Sequence, residues 1–488
     1  MANFVFQFTA AIAITLIANC ALGAETAEAE GGTPAPRITR ADLGRSYLRL
    51  EQVYFSNLPD EAEHIAGINK VFDKSTLAFF GGNFAGTLRV IDQLSAELLA
   101  GPSPELLAAM ALHADFDPPV LTLDSDRKPQ LNLRMLYDPE TRSATSVRLT
   151  MQGLFNASLD INAENRLSNS SFDLSTLRDR LQPGIYELKA NTKECEIVVA
   201  RWIVVDRSLD EIRQDNEERL AKLHASTPAI EAAIAACKDR NELLTNSPST
   251  EKSAQFNTDL NALASDVAIE IGTLEKGADP YRLRAGDYWR TVRSGDRSIP
   301  LRVFAPDKCQ EVACPLIVAL HGAGADENMF FQGYGAGRIK QLAEQHGAIV
   351  VTPSTYAMAS NGDHFDALLT ALAHDYDIDS RRVYVLGHSM GGGVAANLAA
   401  TKSNQIARAC CLAGYRVPKS EKMSPTLIIA AELDGVVAAA GLEKSAQKSV
   451  DIGLPVELRV MPNYGHTLMV GVALPEAIDW LFQSDATP

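Results

Sequence analysis

The chain has 488 residues, more than one hydrophobic core normally fills, so several domains are expected. With 46% hydrophobic and 22% charged residues it has the make-up of a folded globular protein, not of a disordered or fibrous one. A net charge of −16 with no cluster of Lys and Arg argues against nucleic acid as a partner, because phosphate recognition needs concentrated positive charge.

In chain order, the first feature is an uncharged run from Phe4 to Ala24, apolar at its centre and followed by the small residues Ala21, Gly23 and Ala24. Residues 1–24 are read as a signal peptide, which implies an exported protein, periplasmic, secreted or membrane-anchored. No Lys or Arg precedes the run, so two other fates stay open. It is long enough to stay as a single membrane anchor, and Ile17-Ala18-Asn19-Cys20 loosely resembles a lipoprotein cleavage site. Beyond it no stretch is long and apolar enough to span a bilayer. The acidic, then Gly- and Pro-containing residues 25–38 read as a disordered spacer.

Residues 39–113 carry helical spacing. Leu43, Tyr47, Leu50, Val53 and Tyr54 make one stripe, and Leu77, Phe80, Phe84, Leu88, Ile91 and Leu94 parts of another. Gly81-Gly82 and Gly86 lie within the second, where they would let helices approach closely. Residues 114–206 change to period two, with breaks at Asp138-Pro139 and Pro183-Gly184, which predicts a small β-sandwich closed by a hairpin over 184–205. Residues 207–280 return to helical spacing over Leu209–Leu244 and Phe256–Leu274. Pro248-Ser249-Thr250 should break them into a helical hairpin that links the sandwich to the C-terminal region.

From 281 to 488, apolar strands alternate with amphipathic helices, the pattern of a mostly parallel sheet covered on both faces. Strands are expected at Leu301–Ala305, Leu316–Leu320, Ala348–Thr352, Val383–Leu386, Ala409–Leu412, Thr426–Ala431 and Val456–Val460. Gly347 and Gly453 sit where helix ends favour a left-handed residue. Among the seven cysteines, Cys309 and Cys314 are close enough to clip a small loop in an oxidising compartment; Cys195 and Cys237 form a second conceivable pair. Cys410 and Cys411 read as small buried hydrophobes. No Cys/His spacing resembles a metal site, and no cofactor is implied.

The chemistry centres on Gly387-His388-Ser389-Met390-Gly391, with a strand before it and a small-residue helix after it. A serine on a strained strand-to-helix turn points its hydroxyl out of the sheet, and the flanking glycines let two backbones pass without a Cβ clash. A serine hydroxyl needs an imidazole to take its proton. Of nine histidines, His466 alone follows the last expected strand, and the strand ending at Ala431 leads into two carboxylates, Glu432 and Asp434.

These segments, together with Leu320-His321-Gly322-Ala323-Gly324, the run Asp379–Gly392 and Tyr464-Gly465-His466, resemble the α/β-hydrolase superfamily. The similarity is to its compact esterases: the polyhydroxybutyrate-depolymerase-like, feruloyl-esterase-like and phospholipase/carboxylesterase-like enzymes. It covers about residues 286–488 and none of the N-terminal half. It implies the chain order nucleophile, acid, histidine, which Ser389, Asp434 and His466 obey. Asp434 is favoured over Glu432 because an Asp followed shortly by Val matches the family pattern, which leaves Glu432 as a loop anchor. An oxyanion hole is expected from the backbone N–H of Met390, next to the nucleophile, and from that of Ala323, where the family places the second donor. His321, His388, Asp379 and Arg382 are implied as neighbours without chemistry, and Asp363, His364 and Asp366 read as a helix start.

The expected fold class is therefore an α/β-hydrolase domain at the C-terminus, preceded by helical and small β-sandwich modules. The expected function is serine-dependent cleavage of small or polymer-linked carboxylic esters. Ala413-Gly414 reaches Thr426 in a loop too short to form a lid. The N-terminal modules are then candidates for covering the site, and polyhydroxybutyrate cleavage is disfavoured by the lack of a Trp-rich segment. A peptidase or thioesterase on the same residues, or an exported scaffold with an inactive hydrolase fold, are the alternative readings.

Overall fold

The computed structural model describes residues 38–245 and 259–483. The expected leader, nearly all of the spacer and the Pro248-Ser249-Thr250 break lie outside the described residues. Contacts divide the described chain into two compact units, one of residues 38–57 and 74–206, the other of 58–73, 207–245 and 259–483. This division is not consecutive: residues 58–73 count with the C-terminal part of the chain.

In the first unit, α1 (Arg40–Ser56), residues 74–80 of α2 (Ala62–Phe80), α3 (Phe84–Leu99) and α4 (Pro104–Ala111) precede eight strands. Gly81 and Gly82 do not sit inside a helix stripe as expected. Gly82, at φ +77°, ends α2, and Asn83 opens α3, its side chain accepting from the Gly86 amide at 3.0 Å. The glycines are a helix stop, because a left-handed residue is what closes the last turn.

The strands are β1 (Leu112–Asp117), β2 (Val120–Thr122), β3 (Gln130–Met135), β4 (Thr145–Met151), β5 (Phe155–Ile161), β6 (Ser171–Asp173), β7 (Gly184–Asn191) and β8 (Glu196–Val205). They form a three-stranded sheet, β1-β3-β6, and a five-stranded sheet, β2-β8-β7-β4-β5. Alternate residues of both sheets, among them Leu131, Leu133, Val147, Leu149 and Trp202, share one core. Phe116 stacks on Trp202 there at 5.0 Å.

In the second unit, residues 62–73 of α2 are joined by α5 (Leu209–Ala221), α6 (Pro228–Asn241) and α7 (Leu260–Leu274). The stretch expected as one helix over Leu209–Leu244 is two. Thr227 caps α6 by accepting from the Ile230 amide at 3.2 Å, and Pro228 occupies the first turn, where its missing N–H costs nothing. Continuous apolar spacing conceals that stop. Asp239 of α6 accepts from Thr291 and Ser298, each at 2.6 Å, so this helix is tied to the edge of the sheet.

The sheet has eight strands: β9 (Gly286–Ser294), β10 (Arg297–Ala305), β11 (Cys314–Leu320), β12 (Ile349–Pro353), β13 (Ile378–His388), β14 (Arg408–Leu412), β15 (Thr426–Ala431) and β16 (Val456–Met461). Their order is β16-β15-β14-β13-β11-β12-β10-β9. β10 runs antiparallel to both neighbours and the other pairs are parallel. All seven strands expected from sequence are present. β9 is an addition to them, since Asp287-Tyr288-Trp289-Arg290-Thr291-Val292-Arg293 mixes charged and aromatic residues. Its Arg290, 3% exposed, explains the pattern: the guanidinium pairs with Asp375, 2% exposed, and lies 4.2 Å over the Tyr281 ring. Between the strands run α8 (Ile339–His346), α9 (Thr355–Ser360), α10 (Asp363–Asp375), α11 (Met390–Thr401) and α12 (Ala439–Asp451), and α13 (Met469–Phe482) follows the last. Asp363 and Asp366 lie in the first turn of α10, as expected. Gly347 and Gly453 are left-handed at φ +59° and +83°. Cys309 and Cys314 are disulfide-bonded, while Cys195 and Cys237 are free thiols.

The strand order changes direction between β11, whose crossover leads to β12, and β13, whose crossover leads to β14. In open α/β sheets such a switch point opens a crevice at the carboxyl ends of the strands. Here the backbones close in tightly. A Cβ built on Gly387 would lie 2.1 Å from the Gly391 carbonyl oxygen, and one on Gly391 would lie 2.1 Å from that of Leu320. A Cβ on Gly392 would meet the Gly414 oxygen at 2.2 Å, and one on Gly414 the Ser389 oxygen at 2.0 Å. By contrast, Gly393 has open space at its Cβ position.

Urea unfolding at pH 7 checks both of these packing arguments. Replacing Arg290 by Met leaves the buried Asp375 carboxylate without its partner and should cost about 3–5 kcal/mol. Gly391→Ala should cost about 3 kcal/mol or more, because backbone must move, whereas Gly393→Ala should gain about 0.5–1 kcal/mol from helix propensity alone.

Candidate active site

Ser389 sits between the end of β13 and the start of α11 at φ +54°, ψ −114°, a region that a residue with a Cβ rarely occupies. The turn is held there by its neighbours: the Ser389 amide donates to the Leu412 carbonyl at 2.8 Å, and the glycines on either side leave free the space that side chains would need. Such strain persists only where surrounding structure imposes it, and it aims the hydroxyl out of the sheet.

His466 follows β16 and Asp434 follows β15, so all three side chains reach the carboxyl edge of the sheet from separate loops. The Ser389 hydroxyl donates to His466 Nε2 at 2.9 Å, and His466 Nδ1–H donates to Asp434 Oδ2 at 2.8 Å. The other carboxylate oxygen of Asp434 accepts from the amides of Val436 and Val437, at 2.8 and 2.6 Å. Two backbone donors on one oxygen leave the second free for the imidazole, which fixes its tautomer. Asp434 and His466 are 8% and 3% exposed, so their contact is made away from bulk water, while Ser389 is half-buried. Glu432 instead accepts from the Asn463 amide at 2.9 Å and braces the turn before His466.

The loops are locked to one another by a polar chain. His388 Nε2–H donates to the His466 carbonyl at 3.0 Å; its Nδ1 accepts from the Tyr334 hydroxyl at 2.6 Å; that hydroxyl accepts from the Gly322 amide at 3.4 Å. Burial, reinforced by neighbouring His466, pushes His388 well below the usual imidazole range, so it stays neutral and keeps this donor–acceptor pattern. His321 is fixed similarly, accepting from the Thr355 amide at 3.1 Å and donating to the Gly322 carbonyl at 2.8 Å.

Ala323 and Met390 lie just past the ends of the adjacent strands β11 and β13, where Leu320 and Gly387 are paired. The next amide, that of Gly324, is committed to the Tyr356 hydroxyl at 2.8 Å. Met390 opens α11, in the first turn, where backbone N–H groups have no carbonyl within the helix to bond. Asp379 pairs with Arg382 at 2.7 Å at the start of β13, on its exposed end. Tyr334, Tyr356, Asn69 and Asp73 of this neighbourhood are absent from the residues that sequence singles out. Tyr356, Asn69 and Asp73 sit in helices that nothing local marks, Tyr334 follows a π-helical turn (Met329–Gly333) and precedes left-handed Gly335, Ala336 and Gly337, and all four acquire these neighbours only through the fold.

Two other places stand apart from these residues. A surface depression lined by Arg381, Asn404, Ile406, Met423 and Pro455 lies toward the amino ends of β13 to β16, away from Ser389. Asp279, His374 and Asp375 bring one potential ligand atom each within 4.8 Å of one another, a grouping no sequence spacing announces. The Asp375 carboxylate there is already engaged by Arg290.

Comparison with known proteins adds a family. A model of the "Alpha/beta hydrolase family" matches residues 366–453, the stretch from α10 to just past the end of α12. Feruloyl esterase B of Neurospora crassa is 30% identical over 124 residues; the match covers 22% of this chain and only 41% of that relative. Among solved structures, a thermostable esterase is 22% identical over 40% of this chain and 62% of its own, with a TM-score of 0.34. An S-formylglutathione hydrolase of Staphylococcus aureus is 18% identical over 41% of this chain and 98% of its own, also with a TM-score of 0.34. The C-terminal region of this chain, built around the β11–β13 switch point, has the α/β-hydrolase fold, and residues 366–453 within it match that family's model.

Proposed function

We propose that this chain is a serine esterase that cleaves carboxylic esters through an acyl-enzyme. One observation carries the reading: the unbroken relay from the Ser389 hydroxyl through His466 to Asp434, with donor–acceptor distances of 2.9 and 2.8 Å. As a carbonyl carbon is attacked by Ser389 Oγ, His466 Nε2 takes the hydroxyl proton, and the fixed Asp434 carboxylate stabilises the resulting imidazolium. The backbone amides of Ala323 and Met390 are assigned to the tetrahedral oxygen. His466 then returns its proton to the departing alcohol. Water repeats these steps on the acyl-enzyme, releasing the acid and restoring the serine.

The feruloyl esterase relative supports an ester over an amide as substrate, and residues 413–425 support an open site, since they join β14 to β15 without a helix or strand of their own. A substrate attached to a bulky or polymeric group fits that description. The Cys309–Cys314 cystine supports an exported protein, because such bonds persist in oxidising compartments. No helix among the described residues is long and apolar enough to cross a membrane.

The test is labelling with a fluorophosphonate alongside turnover of p-nitrophenyl acetate, its thioester analogue and an acyl anilide. The wild-type chain should label and should prefer the oxygen ester. Ser389→Ala should abolish labelling and lower kcat by about 10⁴-fold or more. Labelling that survives Ser389→Ala sinks the nucleophile assignment, and preference for the thioester or anilide replaces esterase with a thioesterase or peptidase.

A further inference from the structure

Resting on the serine-hydrolase reading, we propose that Asp73, from helix α2 and far from the rest of the site in sequence, is a positioning residue. It holds the His466 and Asp434 loops together and supplies a second negative charge behind the catalytic imidazole. Residues 58–73 belong to the same compact unit as the sheet, so the contacts of Asp73 with these loops are internal to that unit.

The geometry is specific. Asp73 is 4% exposed, and backbone amides of the two loops are its donors. Its Oδ2 accepts from the Gly435 amide at 2.8 Å, next to Asp434. The His466 amide donates to both oxygens, at 2.9 and 3.0 Å. One turn earlier Asn69, fully buried, accepts from the Gly465 amide at 2.9 Å. Its side-chain nitrogen donates back to the Ile65 carbonyl at 2.9 Å, which turns its oxygen toward the loop. Gly465 is fitted to this arrangement: a Cβ there would lie 2.8 Å from both Asp73 oxygens. The His466 backbone is thus gripped on both sides, its amide by Asp73 and its carbonyl by His388.

A carboxylate receiving backbone N–H groups is the ionised form's natural partner set, because an acid proton would compete for an acceptor position. Burial raises the Asp73 carboxyl above its ordinary range; the Gly435 and His466 amides work against that, the Asp434 charge adds to it and His466 offsets it. The titratable groups facing His466 are then Asp434 from the loop after β15, His388 from the end of β13 with its ring 4.8 Å away and held neutral, and Asp73 from α2. Protonating the imidazole in the transition state creates positive charge, which the Asp73 anion stabilises. Removing that anion should disfavour the imidazolium that forms in the transition state.

The experiment is the pH dependence of kcat and kcat/KM for p-nitrophenyl acetate in the full chain, wild type against Asp73→Asn, with folding checked by circular dichroism. The asparagine is isosteric but neutral and points an N–H at a backbone N–H. The expected result is a kcat lower by about 10- to 100-fold, with KM within about twofold. The acid limb should move to lower pH by about 0.5 unit or more. A folded Asp73→Asn enzyme with the wild-type acid limb and kcat overturns the proposal. If Asp73→Asn does not fold, Gly465→Ala reads the same contact by pushing the carboxylate off the loop: a shifted acid limb supports the proposal and an unshifted one overturns it. Wild-type labelling by the fluorophosphonate is measured first, and its failure strikes the serine-hydrolase reading rather than the role of Asp73.

Discussion

The passage of one strand-to-helix turn between two other strands governs the second unit. Ser389 is forced to φ +54° because the chain must leave β13 and enter α11 while lying against the Leu320 carbonyl on one side and the Gly414 backbone on the other. No Cβ fits at 387, 391, 392 or 414. That crowding converts an ordinary alcohol into one presented at the end of a sheet, with the first turn of α11 behind it. Strain of this kind is kept because the surrounding parallel strands are buried on both faces and cannot relax one at a time.

A second layer of order comes from buried polar groups with few available partners. Neutral His388 can donate from only one nitrogen and accept at the other; Tyr334 and the His466 carbonyl use up both. Asp434 has one oxygen occupied by two amides, which leaves the other for the imidazole. Each such group would be costly if left unsatisfied, so the network admits few arrangements other than the one that brings Ser389, His466 and Asp434 into line. The loops at this edge are therefore not free connectors. They are held at both amide and carbonyl by side chains from other elements.

How much of the fold and the site is legible in the sequence depends on whether the signal is local. The strands β10 to β16 are readable from apolar runs, and Ser389 from five residues in a strand–helix context. Glu432 and Asp434 are two residues apart, and family pattern favours the one that the fold places on the imidazole. β9 escapes because its Arg290 is buried by an ion pair whose partner is 85 residues away, so the strand does not look like one. The Thr227-Pro228 stop and the Gly82 stop escape because apolar spacing runs through them. Asp73 and Asn69 escape for a deeper reason: on a helix, a polar pair four apart reads as a solvated face.

By itself the sequence determined the strands β10 to β16 and the identity of Ser389, Asp434 and His466, since strand periodicity, glycine placement and the serine turn are properties of short segments. Only the tertiary structure decided which residues outside that region join it. Residues 58–73 come to lie with the sheet, and a carboxylate from α2 meets amides 362 and 393 residues further along the chain. Hydrogen bonds to backbone amides leave no trace in the partner's side-chain identity, so no pattern along the chain can announce them.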